Sequence, residues 1–128
     1  MKPLSKFCCR LGLIGYQGTV SKVLVVLCTF PDVEQARQIG TALIEKQLAA
    51  CVNVIPGIGS IYEWQGEIKQ EGEVLALIKT SETAFPALEN EIFRLHPYDV
   101  PEIIALPVAV GSVPYLRWVL GQTGAPLD

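Results

Sequence analysis

A chain of 128 residues, 50% of them hydrophobic, can form one compact domain with a full core and is too short for two. Ten basic and thirteen acidic residues leave a net charge of −3, and no lysine or arginine cluster breaks the interior, which argues against a phosphate-backbone partner. The longest apolar runs, Val23 to Cys28 and Ile103 to Val110, are too short to cross a bilayer, so neither nucleic acid nor membrane is an expected partner.

Residues 1–22 read as a flexible N-terminal tail. Lys2, Lys6 and Arg10 precede a brief apolar patch, but Gly12 and Gly15 interrupt it and no cleavage site follows; a targeting segment is the alternative. The chain's four cysteines are the adjacent pair Cys8-Cys9 in the tail and the isolated Cys28 and Cys51, without the spacing of a disulfide scaffold or a zinc site. Free thiols in a reducing cytoplasm are the expectation, with Cys8-Cys9 incidental or a metal-scavenging pair.

Val23 to Thr29, continuous and rich in β-branched residues, predicts a buried strand that stops at Phe30-Pro31-Asp32. Asp32 can cap the following helix, with Gln35 as its capping-box partner and Ala36, Ile39 and Leu43 at helical spacing. Cys51 to Ile55 and Ser60 to Trp64 predict one long strand bent at Pro56-Gly57-Ile58-Gly59. The polar segment Gln65 to Glu73 predicts a hairpin tip, and Val74 to Thr80 the returning strand.

A second helix is expected from near Thr83, with Pro86 in its first turn, Phe85, Leu88, Ile92 and Leu95 on one face, and a stop at His96-Pro97. Ile103 to Val110 predicts a fourth strand. Ser112 can cap a short last helix through Leu116, Val119 and Leu120 that ends at Gly121, leaving 122–128 as a C-terminal tail. The order β-α-β-β-α-β over 23–121 is that of an α+β, ferredoxin-like domain: a four-stranded antiparallel sheet with both full helices on one face. Strands apolar on both sides then leave a second face to be buried against other subunits.

The chain also resembles the CutA family of divalent-cation tolerance proteins. The resemblance covers about Val23 to Leu120 and rests on CTFPD at Cys28 to Asp32, EKQLAACVNVIPG at Glu45 to Gly57, SIYEWQGEI at Ser60 to Ile68, LIKT at Leu77 to Thr80, HPYDVPEIIALPV at His96 to Val108 and YLRWV at Tyr115 to Val119. It implies a ferredoxin-like subunit in a homotrimer, similar in architecture to the PII signalling proteins, and an association with copper and other divalent cations. Ligands in copper-binding members stand at the positions of Cys28, Leu95 and His96, and leucine cannot ligate.

Cys28 and His96, the chain's one histidine, are thus the metal candidates; soft sulfur with imidazole favours copper or zinc over magnesium. The competing reading makes Cys28 a small buried hydrophobe and His96 a residue that closes a helix. Pro97 and Pro101 preset the turn that carries Tyr98, Asp99 and Glu102. With Tyr62, Trp64, Lys79 and Trp118, Tyr98 and Glu102 could wall a small-molecule cleft between subunits; aromatic residues on strands also serve as core or interface.

No glycine-rich phosphate loop and no Ser-His-Asp elbow is present, so the chain reads as a non-enzyme that requires no cofactor. The expectation is a cytoplasmic, trimeric divalent-cation response protein, or alternatively a PII-like sensor of a small molecule.

Overall fold

The structure, a computed structural model, describes residues 21–127. Expectations for residues 1–20, including Cys8 and Cys9, lie outside the described residues. Strand β1 (Val23–Phe30) leads into helix α1 (Val33–Glu45), strands β2 (Cys51–Trp64) and β3 (Glu67–Ser81), helix α2 (Phe85–Leu95), strand β4 (Ile104–Pro107) and helix α3 (Val113–Gln122). The sheet order is β2-β3-β1-β4 and every pairing is antiparallel.

The pairing register sorts side chains by face, because successive strand residues point to opposite sides. Val26, Cys28, Ala76 and Ile78 meet Ala36, Ile39 and Leu43 of α1 and Leu88 and Ile92 of α2 in the main core. The opposite rows hold Val25 beside Lys79 and Leu106, then Leu27 beside Leu77 and Ile104. Only one end of that side is roofed: Val23 and Ala50 pack with Val119 and Leu120 of α3. The rest lies open in the single chain, with Ile104 50% and Leu106 48% exposed.

Local chemistry explains the element ends. Asp32 Oδ1 accepts the Gln35 backbone N–H at 2.8 Å, capping α1, while Gln35 Nε2 donates to Asp32 Oδ2 at 3.1 Å instead of completing a reciprocal capping box. Gly40 sits where a Cβ would approach Val52 Cγ1 to 3.2 Å, so its absence lets α1 lie close to β2. Ser81 Oγ accepts the Ala84 N–H at the start of α2. His96, before Pro97, is extended at φ −73° and ψ 141°, and the helix stops there.

Four expectations need correction. Gln65 to Glu73 is not a hairpin tip: the ladder continues to Trp64 opposite Glu67, and the turn is Gln65-Gly66 alone, with φ of 51° and 83°. Positive φ at both central residues is the type I′ signature of a tight hairpin. The fourth strand is shorter than Ile103 to Val110. Ser112 stands at the N-cap of α3 without a side-chain cap bond; Pro114 removes one of the N–H groups such a cap would receive. Finally, the fold continues past residue 121, since α3 reaches Gln122 and the buried Thr123 hydroxyl lies 2.9 Å from Ser81 Oγ.

Candidate functional site

At the C-terminal end of β1 the backbone of Thr29 faces the turn that follows α2. His96 Nε2 donates to the Thr29 carbonyl at 2.7 Å, and its other nitrogen, Nδ1, accepts the Tyr98 backbone N–H at 3.1 Å. A ring that donates from Nε2 and accepts at Nδ1 is the neutral Nε2–H tautomer. The imidazole is 7% exposed, stacks on Phe30 at 4.7 Å between centroids, and has Tyr98 tilted against it at the same distance. Burial lowers the His96 pKa, while the Thr29 carbonyl and the nearby Glu73 pull it back up in part.

Glu73 is the hub of the surrounding polar groups. Its two carboxylate oxygens accept from Ser60 Oγ at 2.6 Å and from the Tyr98 hydroxyl at 2.7 Å. The β2–β3 hairpin is thereby tied to the turn that carries His96. Burial and this carboxylate together raise the Tyr98 phenol pKa. Cys28 is fully buried; burial, then the charges of Glu102 and Glu73, push its thiol up to about 12. At neutral pH it is a thiol and not the thiolate that binds metal.

The candidates separate within one chain. Tyr98 and His96 are in contact, and Glu102 acts electrostatically on Cys28 at the same end of the sheet. Lys79 lies at the other end, opposite both Val25 and Cys51, and hydrogen-bonds to Asn53. Trp118 packs against Tyr115 on α3 at 5.6 Å. Tyr62 and Trp64 stand on the hairpin, where the Tyr62 hydroxyl donates to Glu71 at 2.6 Å. One chain does not gather these side chains into one pocket.

Sequence reasoning missed Glu73, Ser60 and the Thr29 carbonyl. Glu73 was hidden by the assignment of its segment to a hairpin tip. A backbone carbonyl carries no sequence signal at all.

For a divalent cation the donor set of one chain is partial. His96 Nδ1 carries an in-plane lone pair, now occupied by the Tyr98 N–H, and Glu73 is a hard oxygen donor near it. Among the described residues no group of three or more histidine, cysteine, aspartate or glutamate side chains is placed to hold a metal ion. Further ligands would have to come from water or another subunit.

The sequence model of the family described as CutA1 divalent ion tolerance protein matches residues 24–122. The chain belongs to that family. The divalent-cation tolerance protein CutA of Thermus thermophilus is 54% identical over 100 residues, which is 78% of this chain and 97% of that one. Human protein CutA is 51% identical over 115 residues, 89% of this chain but 63% of its own length. The solved structure of the Thermus thermophilus divalent cation tolerance protein superposes with a TM-score of 0.78 at 53% identity, covering 80% of this chain and 99% of that one. As a CutA1-family member, the chain shares its four-stranded antiparallel sheet and helices with solved relatives. No helix among the described residues is long and apolar enough to cross a membrane.

Proposed function

We propose that this chain acts in divalent-cation tolerance as a non-enzymatic, ferredoxin-like subunit of a homotrimer. The observation that carries the reading is the family match over nearly the whole described domain, together with a sheet face that one chain leaves uncovered. Exposed, contiguous apolar surface of this kind is the mark of an interface. On that face Leu27, Leu77 and Ile104 form a cross-strand row, and Leu75 paired with Ile55 adds apolar side chains in the next row. Three copies packing these faces inward would bury all of them.

His96 is the residue through which the trimer would meet copper or another divalent cation. Cys28, protonated and buried, is the weaker donor of the pair. The free Cys28 and Cys51 favour a reducing compartment such as the cytoplasm.

Isothermal titration of the reduced protein with copper and zinc, repeated with His96→Ala and Cys28→Ser, tests the reading. Stoichiometric binding lost in His96→Ala supports it. Equal binding by wild type and both variants removes these residues from any cation site.

A second reading is a PII-like sensor of a small molecule in clefts between subunits. It is favoured by Glu73, which joins the hairpin to the Tyr98 turn, because a ligand contacting Tyr98 or Glu102 would be felt by the hairpin as well. Thermal stabilisation that grows with ligand concentration would support it.

A further inference from the structure

We propose that the open sheet face meets further copies of this chain head to tail, with Lys79 of one copy paired to Glu102 of the next. The pair rests on the reading of that face as an interface between copies, and adds to it the charges that set its register.

The face is apolar in its middle and charged at two corners. Lys79 stands in one row with Cys51, Val25 and Leu106, while its strand neighbours Ile78 and Thr80 are both 0% exposed on the covered side. Its ammonium donates to Asn53 Oδ1, a neutral acceptor, and among the described residues no carboxylate lies within ion-pair distance of it. Glu102 stands at the diagonal corner. Ile103 and Ala105 pack on the main core, so alternation sends Glu102 to the side of Ile104 and Leu106. It is exposed, and its carboxylate has no ion-pair partner among the described residues.

These two charges cannot satisfy each other within one chain. Strand β1 lies between β3 and β4, which sets the pair about 10 Å apart across the sheet, and the shift from the Val25 row to two residues before Ile104 adds about 13 Å along it. Covering Lys79 with an apolar surface would strip water from its ammonium and leave a neutral amide as its partner, which is strongly unfavourable. A second copy brings the missing carboxylate on the same face. In a head-to-tail contact each copy offers Lys79 to one neighbour and Glu102 to the other, and the pair repeats around a closed ring. The apolar row of Leu27, Leu77 and Ile104 tolerates sliding, whereas a charge pair fixes where the copies stop.

Carbodiimide coupling of the full-length reduced protein tests the pair, because the reagent joins an amine and a carboxylate in contact as an amide and takes up the water released. The expected product is a covalent multimer on a denaturing gel whose proteolytic peptides link Lys79 to Glu102. That link should vanish in Lys79→Arg, which keeps the charge and the assembly but has no amine to couple. In sedimentation velocity, Lys79→Glu and Glu102→Lys should each weaken association about a hundredfold, and the double exchange of Lys79→Glu with Glu102→Lys should restore it.

An assembled wild type without the Lys79–Glu102 link, or a double exchange that associates no better than the single variants, would overturn the pair while leaving the interface intact. The mass of a single chain for wild type at micromolar concentration would overturn the interface reading and the pair with it.

Discussion

The two faces of the same sheet have different fates although their sequences are similarly apolar. Val26, Cys28, Ala76 and Ile78 are each 0% exposed beneath α1 and α2, whereas Leu106, on the reverse side, is 48% exposed in the single chain. Helix α3 roofs only the end around Val23. One face therefore holds the chain together by itself, and the other is left largely uncovered by it. The comparison separates substitutions that unfold the chain from those that part its copies.

The largest expected effect lies on the covered face. Leu88, fully buried between α2 and the sheet, should cost about 2–5 kcal/mol of stability when replaced by alanine, because the cavity left behind adds to the lost transfer energy. Chemical denaturation measures this directly. If Leu88→Ala were neutral, the main core would not be where the structure puts it.

On the open face, Leu27→Asp should leave the subunit's helices and sheet in place but disperse the assembly or cause it to aggregate, since a carboxylate would have to be buried between copies. Far-ultraviolet circular dichroism beside sedimentation velocity separates the two effects. A variant that both folds and keeps the wild-type mass would show that the face is not an interface.

Acidification sharpens the comparison by loosening the covered side at two separate places. The folded His96 pKa lies below its ordinary 6.5, so as pH falls through that value the unfolded chain takes up a proton that the folded chain resists. Stability should begin to decline there and be undiminished above it. Glu91 of α2, bonded to Lys46 at the end of α1 at 3.0 Å and to Arg94 on its own helix at 2.6 Å, is held down to about 2 by its hydrogen bonds to Arg94 and Lys46. Its contribution is complete above its ordinary 4.5 and fades as pH falls towards 2. Denaturation midpoints across pH should show the upper step vanish in His96→Gln and the lower one in Glu91→Gln.

The smallest effect is local. Asp32→Ala removes the N-cap of α1 and should cost about 1 kcal/mol. A loss as large as that of Leu88→Ala would mean that the cap does more than satisfy one helix end.

Much of this plan was legible in the sequence because covered elements follow strict periodicity. Ala36, Ile39 and Leu43 marked the buried side of α1, and Leu88 and Ile92 that of α2. The hairpin was not legible in the same way. From Ile61 to Trp64 and back from Glu67 its strands are largely solvent-exposed, so no buried row imposes alternation, and glutamates and lysine there resemble a loop. Their pairing is decided by the tight Gln65-Gly66 turn and by continuation of the ladder from the sheet. The candidate site was half legible: His96 drew notice as the one histidine beside a proline, while its partners are a backbone carbonyl, a backbone N–H and a glutamate placed by that hairpin.

Covering of the open face by further copies of the chain is the central expectation. Sedimentation equilibrium at micromolar concentration tests it most directly. The expected mass is that of three chains of 14.0 kDa each, while the mass of a single chain would contradict a face covered by other copies.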